Sequence, residues 1–399
     1  MKKVTVFETV HEHAAGIDIG AEKIYVSYDG TEVVTFDTYT ADYYRCAVYL
    51  QEKGIEDVAM EATGVYWIAL YAILETCGLK VCLVNPKETK QVKGRKTDVQ
   101  DCRWIQKLFT AGILRKSFIP SEKYMELRQL VRERLDIIDM GSVYVNKMQK
   151  CLELMNIKLK EVISQVHGAS GIKMIKAILS GSRDKTYLLS LCDKRIVNKK
   201  GEQVLKALEG NYNECYLFLL EQNLQMWEKH QEQIIVIDKR IETHLENLCI
   251  LQPQVEVKSK AKPVRHHAPK IEGLHGKLVQ LYGVNVSSIS GINDYTLLRL
   301  IGETGVDMSR FPTVKHFVSW CGLSPFMRKL KARKDAGIAI KAGARKLAVA
   351  FFNALTKGTD YVEQGTKKYE EQIKQREKAV LYKLAKKHNM KLIEKEVAA

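Results

Sequence analysis

Along the first 120 residues, short apolar runs alternate with stretches of helical spacing. Ala14-Ala15-Gly16-Ile17-Asp18-Ile19-Gly20 reads as a buried strand that runs into a glycine turn. Ile24 to Tyr28 is a second strand, Asp29-Gly30 a hairpin turn, and Glu32 to Thr38 a third strand. Asp57 to Glu61 is a short strand. Thr63 is placed to cap the helix after it, where Trp67, Leu70, Tyr71 and Leu74 recur at helical spacing before Gly78. Lys80 to Val84 is a further strand, closed by Asn85-Pro86. Hairpins succeeded by strand–helix–strand predict a mixed sheet with helices on it, an α/β domain.

Beyond this block the period becomes helical. One stretch runs from about Ser121 to Leu159. A second runs from about Glu202 to Leu251, with Leu217, Leu220, Leu224, Trp227, Ile234, Ile237 and Ile241 as its apolar stripe. A Gly/Ser-containing break separates them between Gly168 and Ser182. The pair suggests a helical hairpin or coiled-coil arm, or an ordinary helical subdomain. Residues 252–270 hold three of the seven prolines with several cations, the composition of a basic linker. A compact helical block runs from Leu274 to about Leu355, then a Lys/Glu-rich tail expected to be helical. The expected domains are therefore 1–120, 121–251, 252–270, 271–356 and 357–399.

Charge adds a class of partner. Lys and Arg number 63 against 47 Asp and Glu, a net +16. Of this, +11 lies beyond residue 320, where 19 cations face 8 anions. Such a field favours polyanions through counterion release, nucleic acid first and an anionic membrane second. No apolar run approaches the roughly 18 residues of a membrane span, and Met1 to Thr5 do not open a signal peptide, so a cytoplasmic protein is expected. Nine cysteines without a C-x-x-C pair fit reduced thiols rather than a zinc site.

Four carboxylates stand out as chemistry. Asp18 lies inside an apolar strand, where an uncompensated charge is strongly disfavoured. Glu61 ends a second strand. Asp98 and Asp101 are three apart at the start of a predicted helix and so share one face. Two strand carboxylates and a helical pair suit two Mg²⁺ ions about 4 Å apart. The plainer alternatives are macrodipole stabilisation of Asp98 and Asp101 and an ion pair of Glu61 with Arg95. Asp18-Ile19-Gly20 also resembles the opening of actin-like ATP-binding folds, but the second phosphate loop and the adenosine loop those folds need are not found. From Val286 to Leu298, a glycine hairpin at Gly291 between helices would offer backbone N–H groups to a phosphate. Lys93, Arg95 and Lys96, with Arg328, Lys329, Lys331, Arg333 and Lys334, are cationic candidates for nucleic-acid contact.

Several motifs, in order, resemble the IS110 (IS110/IS116/IS902) family of transposases. In the N-terminal part they are Gly16 to Gly20, Glu61 to Trp67, Val84-Asn85-Pro86 and Gly94 to Asp101. In the C-terminal part they are Ile289 to Ile292, Ile301 to Gly305, Arg310-Phe311-Pro312 and Trp320 to Pro325. The resemblance implies a RuvC-like RNase H fold whose acidic tetrad is Asp18, Glu61, Asp98 and Asp101, binding Mg²⁺. It implies a coiled-coil dimerisation arm and a mostly α C-terminal transposase domain with a helix-hairpin-helix-like element. The implied process is insertion-sequence transposition by site-specific recombination. The implied partners are double-stranded DNA (element ends and target), a non-coding bridge RNA as guide, and further copies of the chain in a homo-dimer or tetramer, with no membrane.

One departure bears on activity. The family carries a nucleophilic serine shortly after the Gly-Leu-Ser-Pro motif, whereas here Ser324-Pro325 runs straight into the Arg328–Lys334 cluster and no later serine occurs. An internal deletion at the Pro325–Phe326 joint is the expected cause, leaving the copy without a nucleophile and defective in strand transfer. The rivals are a non-catalytic nucleic-acid binder and a metal nuclease without serine chemistry.

Overall fold

The structure is a computed structural model that describes residues 9–89, 97–255, 257, 259–264, 266–323 and 336–387. It divides into two compact units, Met1–Ile119 and Pro120–Ala399.

The first unit is built on β1 (Ala14–Ile19), β2 (Lys23–Ser27), β3 (Val34–Asp37), α1 (Thr40–Glu52), β4 (Asp57–Glu61), α2 (Trp67–Thr76), β5 (Lys80–Val84), α3 (Pro86–Thr89) and α4 (Asp98–Thr110). The five strands form one mixed sheet in the order β3-β2-β1-β4-β5. β1–β2 and β2–β3 are antiparallel, and β1–β4 and β4–β5 parallel. The side-chain period of two sorts the central strand onto two faces. Ala15, Ile17 and Ile19 join Ile24, Val26, Val58, Met60, Val81 and Leu83 in a core closed by α1 and α2. Ala14, Ala59, Cys82 and Val84 form the other face with Ile105, Leu108 and Phe109 of α4.

Two local readings change. The third strand is shorter than expected, because the Asp29 carboxylate accepts from the backbone N–H of Thr31 and Glu32 and holds Glu32 in the turn. Thr63 does not cap α2, which starts at Trp67; its hydroxyl donates to Glu61 Oε1 at 3.3 Å instead.

The second unit opens with α5 (Glu122–Leu154), α6 (Leu159–Val162), α7 (Ala169–Leu179), α8 (Lys185–Ser190), α9 (Lys194–Ala207) and α10 (Glu214–Ile250). α5 and α10 are antiparallel neighbours: Lys123 meets His244, Arg134 meets Asp238, and Tyr144 meets His230. At their far end Met148, Leu152 and Met155 pack with Met174, Ile175, Ile178, Val204, Leu208, Leu220 and Leu224 around α6 to α9. The helix expected from Glu202 to Leu251 is therefore two. Gly210 lies so close to Met155 that a Cβ would sit 2.4 Å from its carbonyl oxygen, Tyr212 has φ +46°, and Asn213 caps a new helix through Cys215 N–H. The Gly/Ser break is itself mostly helix, α7, because burial of Met174, Ile175 and Ile178 outweighs weak propensity.

The C-terminal half of this unit contains α11 (Leu274–Tyr282), a 3₁₀ turn at Val286–Ser288, α12 (Asp294–Thr304), α13 (Val314–Trp320) and α14 (Ala336–Lys387), the last broken at Gly358 with φ +73°. α12 docks on α5 through Glu303, which pairs bidentately with Arg132 at 2.7 and 2.9 Å. Phe317 stacks on Trp320 and Phe351, with Phe311 edge-on to it. No helix among the described residues is long and apolar enough to cross a membrane.

His267 and Lys270 are tied to the helical pair through a buried ion pair. Arg134 and Asp238, 1% and 0% exposed, form a buried ion pair. Arg134 also donates to Tyr295 OH (3.1 Å) and the His267 carbonyl (3.0 Å), and Asp238 accepts from Lys270 N–H (2.9 Å). Removing one partner strands a buried charge. Arg134→Ala is expected to lower the unfolding free energy by roughly 3–5 kcal/mol in urea titration, and the paired Arg134→Met, Asp238→Leu change to recover most of the loss.

Candidate acidic metal centre

The site begins with a glycine. At Gly16 a Cβ would stand 2.3 Å from Gln106 N and 2.5 Å from Cys102 O, so the backbone of α4 lies directly on β1. Gln106 secures that approach by donating to the carbonyls of Tyr28 (3.1 Å) and of Ala14 on β1 (3.4 Å). Asp18 comes after Gly16 on the same face of the strand, beneath the first turn of α4. Thr97 caps that helix, its side chain accepting from Gln100 N–H, and Asp98 and Asp101 occupy the first turn.

One carboxylate oxygen from each of Asp18, Asp98 and Asp101 lies within 4.8 Å of the others. Three like charges at this spacing repel, and oxygen donors in such a cluster suit a hard divalent cation. Asp98 and Asp101 sit in the first turn of α4, at the positive end of its dipole. The donor set fits a divalent ion. Next to it the Cys102 thiol is pushed up to about 12 by burial, with the charges of Asp18 and Asp101 adding to the effect. It stays a neutral thiol, donating to Val99 O, and competes as no ligand.

Glu61 stands outside this 4.8 Å group. The parallel register pairs Ile17 with Met60, so Glu61 lies beside Asp18 on the neighbouring strand, about 4.8 Å away in the sheet. Its Oε2 accepts from Thr89 Oγ1, and the Thr89 carbonyl accepts from Trp104 Nε1 of α4 at 3.1 Å. Sequence reasoning named four acids, three of which the fold brings within 4.8 Å of one another, and did not name Thr89, Trp104 or Gln106. Nothing local marks the first two, whereas a glycine inside an apolar strand does signal a close approach.

Lys93, Arg95, Lys96, Ser324, Arg328, Lys329, Lys331, Arg333 and Lys334 lie outside the described residues. Gly291 is described. It takes φ +89° in the turn before α12, where Lys262 Nζ donates to the Ile289 carbonyl at 2.9 Å.

The fold and the acids define a class, a mixed α/β unit with a carboxylate cluster suited to divalent cations. Family resemblance narrows it. Residues 15–157 match the IS110-type DEDD model, described as Transposase, and residues 284–370 match Transposase IS116/IS110/IS902 family, together more than half of the chain. The chain belongs to the IS110 family of transposases. No curated protein matches the sequence. Membership implies DNA binding and a divalent-metal-dependent acidic site.

Asp18→Asn, Asp98→Asn and Asp101→Asn are each expected to weaken Mn²⁺ binding, monitored by electron paramagnetic resonance, about tenfold or more. Gly16→Ala is expected to reproduce the loss without touching a carboxylate, since α4 must retreat to admit the methyl group. Unchanged Mn²⁺ affinity in Gly16→Ala would show that α4 does not set the cluster.

Proposed function

We propose that the chain is a DNA transposase of the site-specific recombinase type. Its first unit is a RuvC-like RNase H fold that holds Mg²⁺ on Asp18, Asp98 and Asp101, with Glu61 as a fourth ligand. The observation that carries the reading is the convergence of one strand acid and two helix acids within 4.8 Å. The strand order β3-β2-β1-β4-β5, antiparallel on one side of β1 and parallel on the other, supports the RNase H reading.

Bound there, the cation supplies Lewis-acid polarisation of a scissile phosphate. The protein's own part is placement. Gly16 sets the height of α4, Thr97 fixes its first turn, and Thr89 orients Glu61. The Gly291 turn offers backbone N–H groups to a DNA phosphate. The α5–α10 pair serves as the coiled-coil arm of a dimer or tetramer, supported by its length and antiparallel pairing. A non-coding guide RNA is the second polyanion that the +16 charge accommodates. The segment in which the family places its serine is missing after Ser324, so strand joining through that segment is lost.

Incubation of labelled element ends with Mg²⁺ tests the reading. Metal-dependent nicking that disappears in Asp18→Asn is the expected result, with Ser324→Ala indistinguishable from the parent. Free nicks, not linked to protein, that persist in Asp18→Asn, or an adduct abolished by Ser324→Ala, would overturn it. Affinity for duplex DNA is expected to fall steeply with salt. Neutralising Arg328, Lys329, Lys331, Arg333 and Lys334 should flatten the log K against log salt line by about 0.9 for each phosphate contact removed.

A further inference from the structure

Outside the acidic centre, three side chains from three parts of the second unit meet in one hydrogen-bonded line. Asp294, 4% exposed, sits in the first turn of α12. Its Oδ1 is 3.0 Å from Nδ1 of His275 on α11, itself 9% exposed. On the other side of the ring, Nε2 is 2.8 Å from Oγ of Ser259. Ser259 is half-buried.

The chemistry assigns the protons. The Asp294 carboxylate accepts, so Nδ1–H donates to it. That fixes the tautomer and leaves the Nε2 lone pair to accept from Ser259 O–H. The order of atoms, carboxylate to Nδ1 and Nε2 to hydroxyl, is the one that makes a serine nucleophilic. We propose that Ser259, His275 and Asp294 form a nucleophilic relay acting on a phosphate diester, with Ser259 the attacking group.

Charge selects the substrate class. Lys262 is anchored on the Ile289 carbonyl beside the Gly291 turn, its pKa lowered by burial against the opposing charge of Asp294. Lys260 is exposed one residue beyond Ser259. Lysines one and three residues beyond a serine favour an anionic diester over a neutral acyl ester. In the step, the Oγ–P bond forms as the Ser259 proton passes to His275 Nε2. The P–O bond to the leaving oxygen then breaks, and that oxygen takes the proton back from His275. Asp294 remains ionised and acts as a positioning residue. Only the choice of a nucleic-acid diester rests on the transposase reading; the reactivity of Ser259 does not.

The test uses the full chain in a metal chelator, with a fluorophosphonate probe and with bis(p-nitrophenyl) phosphate. The expected result is one phosphonylated peptide containing Ser259 and a burst of p-nitrophenolate approaching one per chain, both absent in Ser259→Ala. His275→Gln is expected to slow labelling roughly 100-fold or more. Asp294→Asn should lower the maximal labelling rate while leaving the probe's half-saturation unchanged, a split that a merely structural role would not give. Labelling that survives Ser259→Ala, or a Ser259→Ala chain with the parent's thermal melt and the parent's burst, would overturn the relay. Turnover of p-nitrophenyl acetate without phosphonylation would overturn its assignment to phosphate esters. Asp18→Asn should label as fast as the parent, so failure of the relay and failure of the acidic-centre reading are told apart.

Discussion

The acidic centre depends on backbone meeting backbone at Gly16. With Gln106 N and Cys102 O inside the space that any side chain at Gly16 would need, β1 and α4 approach as closely as two elements can. The approach fixes the height of the helix over the sheet. Asp98 and Asp101 then arrive at Asp18 because they lie one turn back along the same helix. A helix packed through ordinary side chains would stand further away by the size of a methyl or larger group, and the carboxylates would no longer share one cation.

α4 has a second task. Its Trp104 indole holds the Thr89 carbonyl, and the Thr89 hydroxyl holds Glu61. One helix thus delivers two acids directly and steadies a third at one remove, on a different strand. A comparable sharing of partners occurs in the second unit, where Arg134 and Asp238 tie α5, α10, the segment before α11 and Tyr295 of α12 into a single buried knot.

The sheet was legible because a β1 run such as Ala-Ala-Gly-Ile-Asp-Ile admits few other conformations and carries its polar exception in plain sight. Asp98 and Asp101 could be placed on one face by spacing alone. What failed was local punctuation. Thr63 carries a capping side chain, yet Glu61 takes its hydroxyl. Residues 208–213 carry their own breaker, Gly210-Asn211 with Asn213 as the cap of the next helix, and the helical periodicity on either side hid it; the contact of Gly210 with Met155, fifty-five residues away in sequence, holds the break in place. Glycine and serine near Ala169 argue for a break, while a core assembled from α5, α9 and α10 favours a helix there. The alignment of Ser259 with His275 and Asp294 was invisible for the same reason. It joins a proline-rich segment to two helices.

The nine thiols distribute in a way that is of practical use. Cys46, Cys82, Cys102, Cys151, Cys192 and Cys249 are buried, Cys77 and Cys321 half-buried, and Cys215 alone among them is fully exposed. It lies in the first turn of α10, at the end of the α5–α10 pair that carries the α6–α9 cap. A maleimide dye added to the native chain therefore finds the α6–α9 end of the helical pair first. Without engineering, the protein supplies its own attachment point for fluorescence readings at that end.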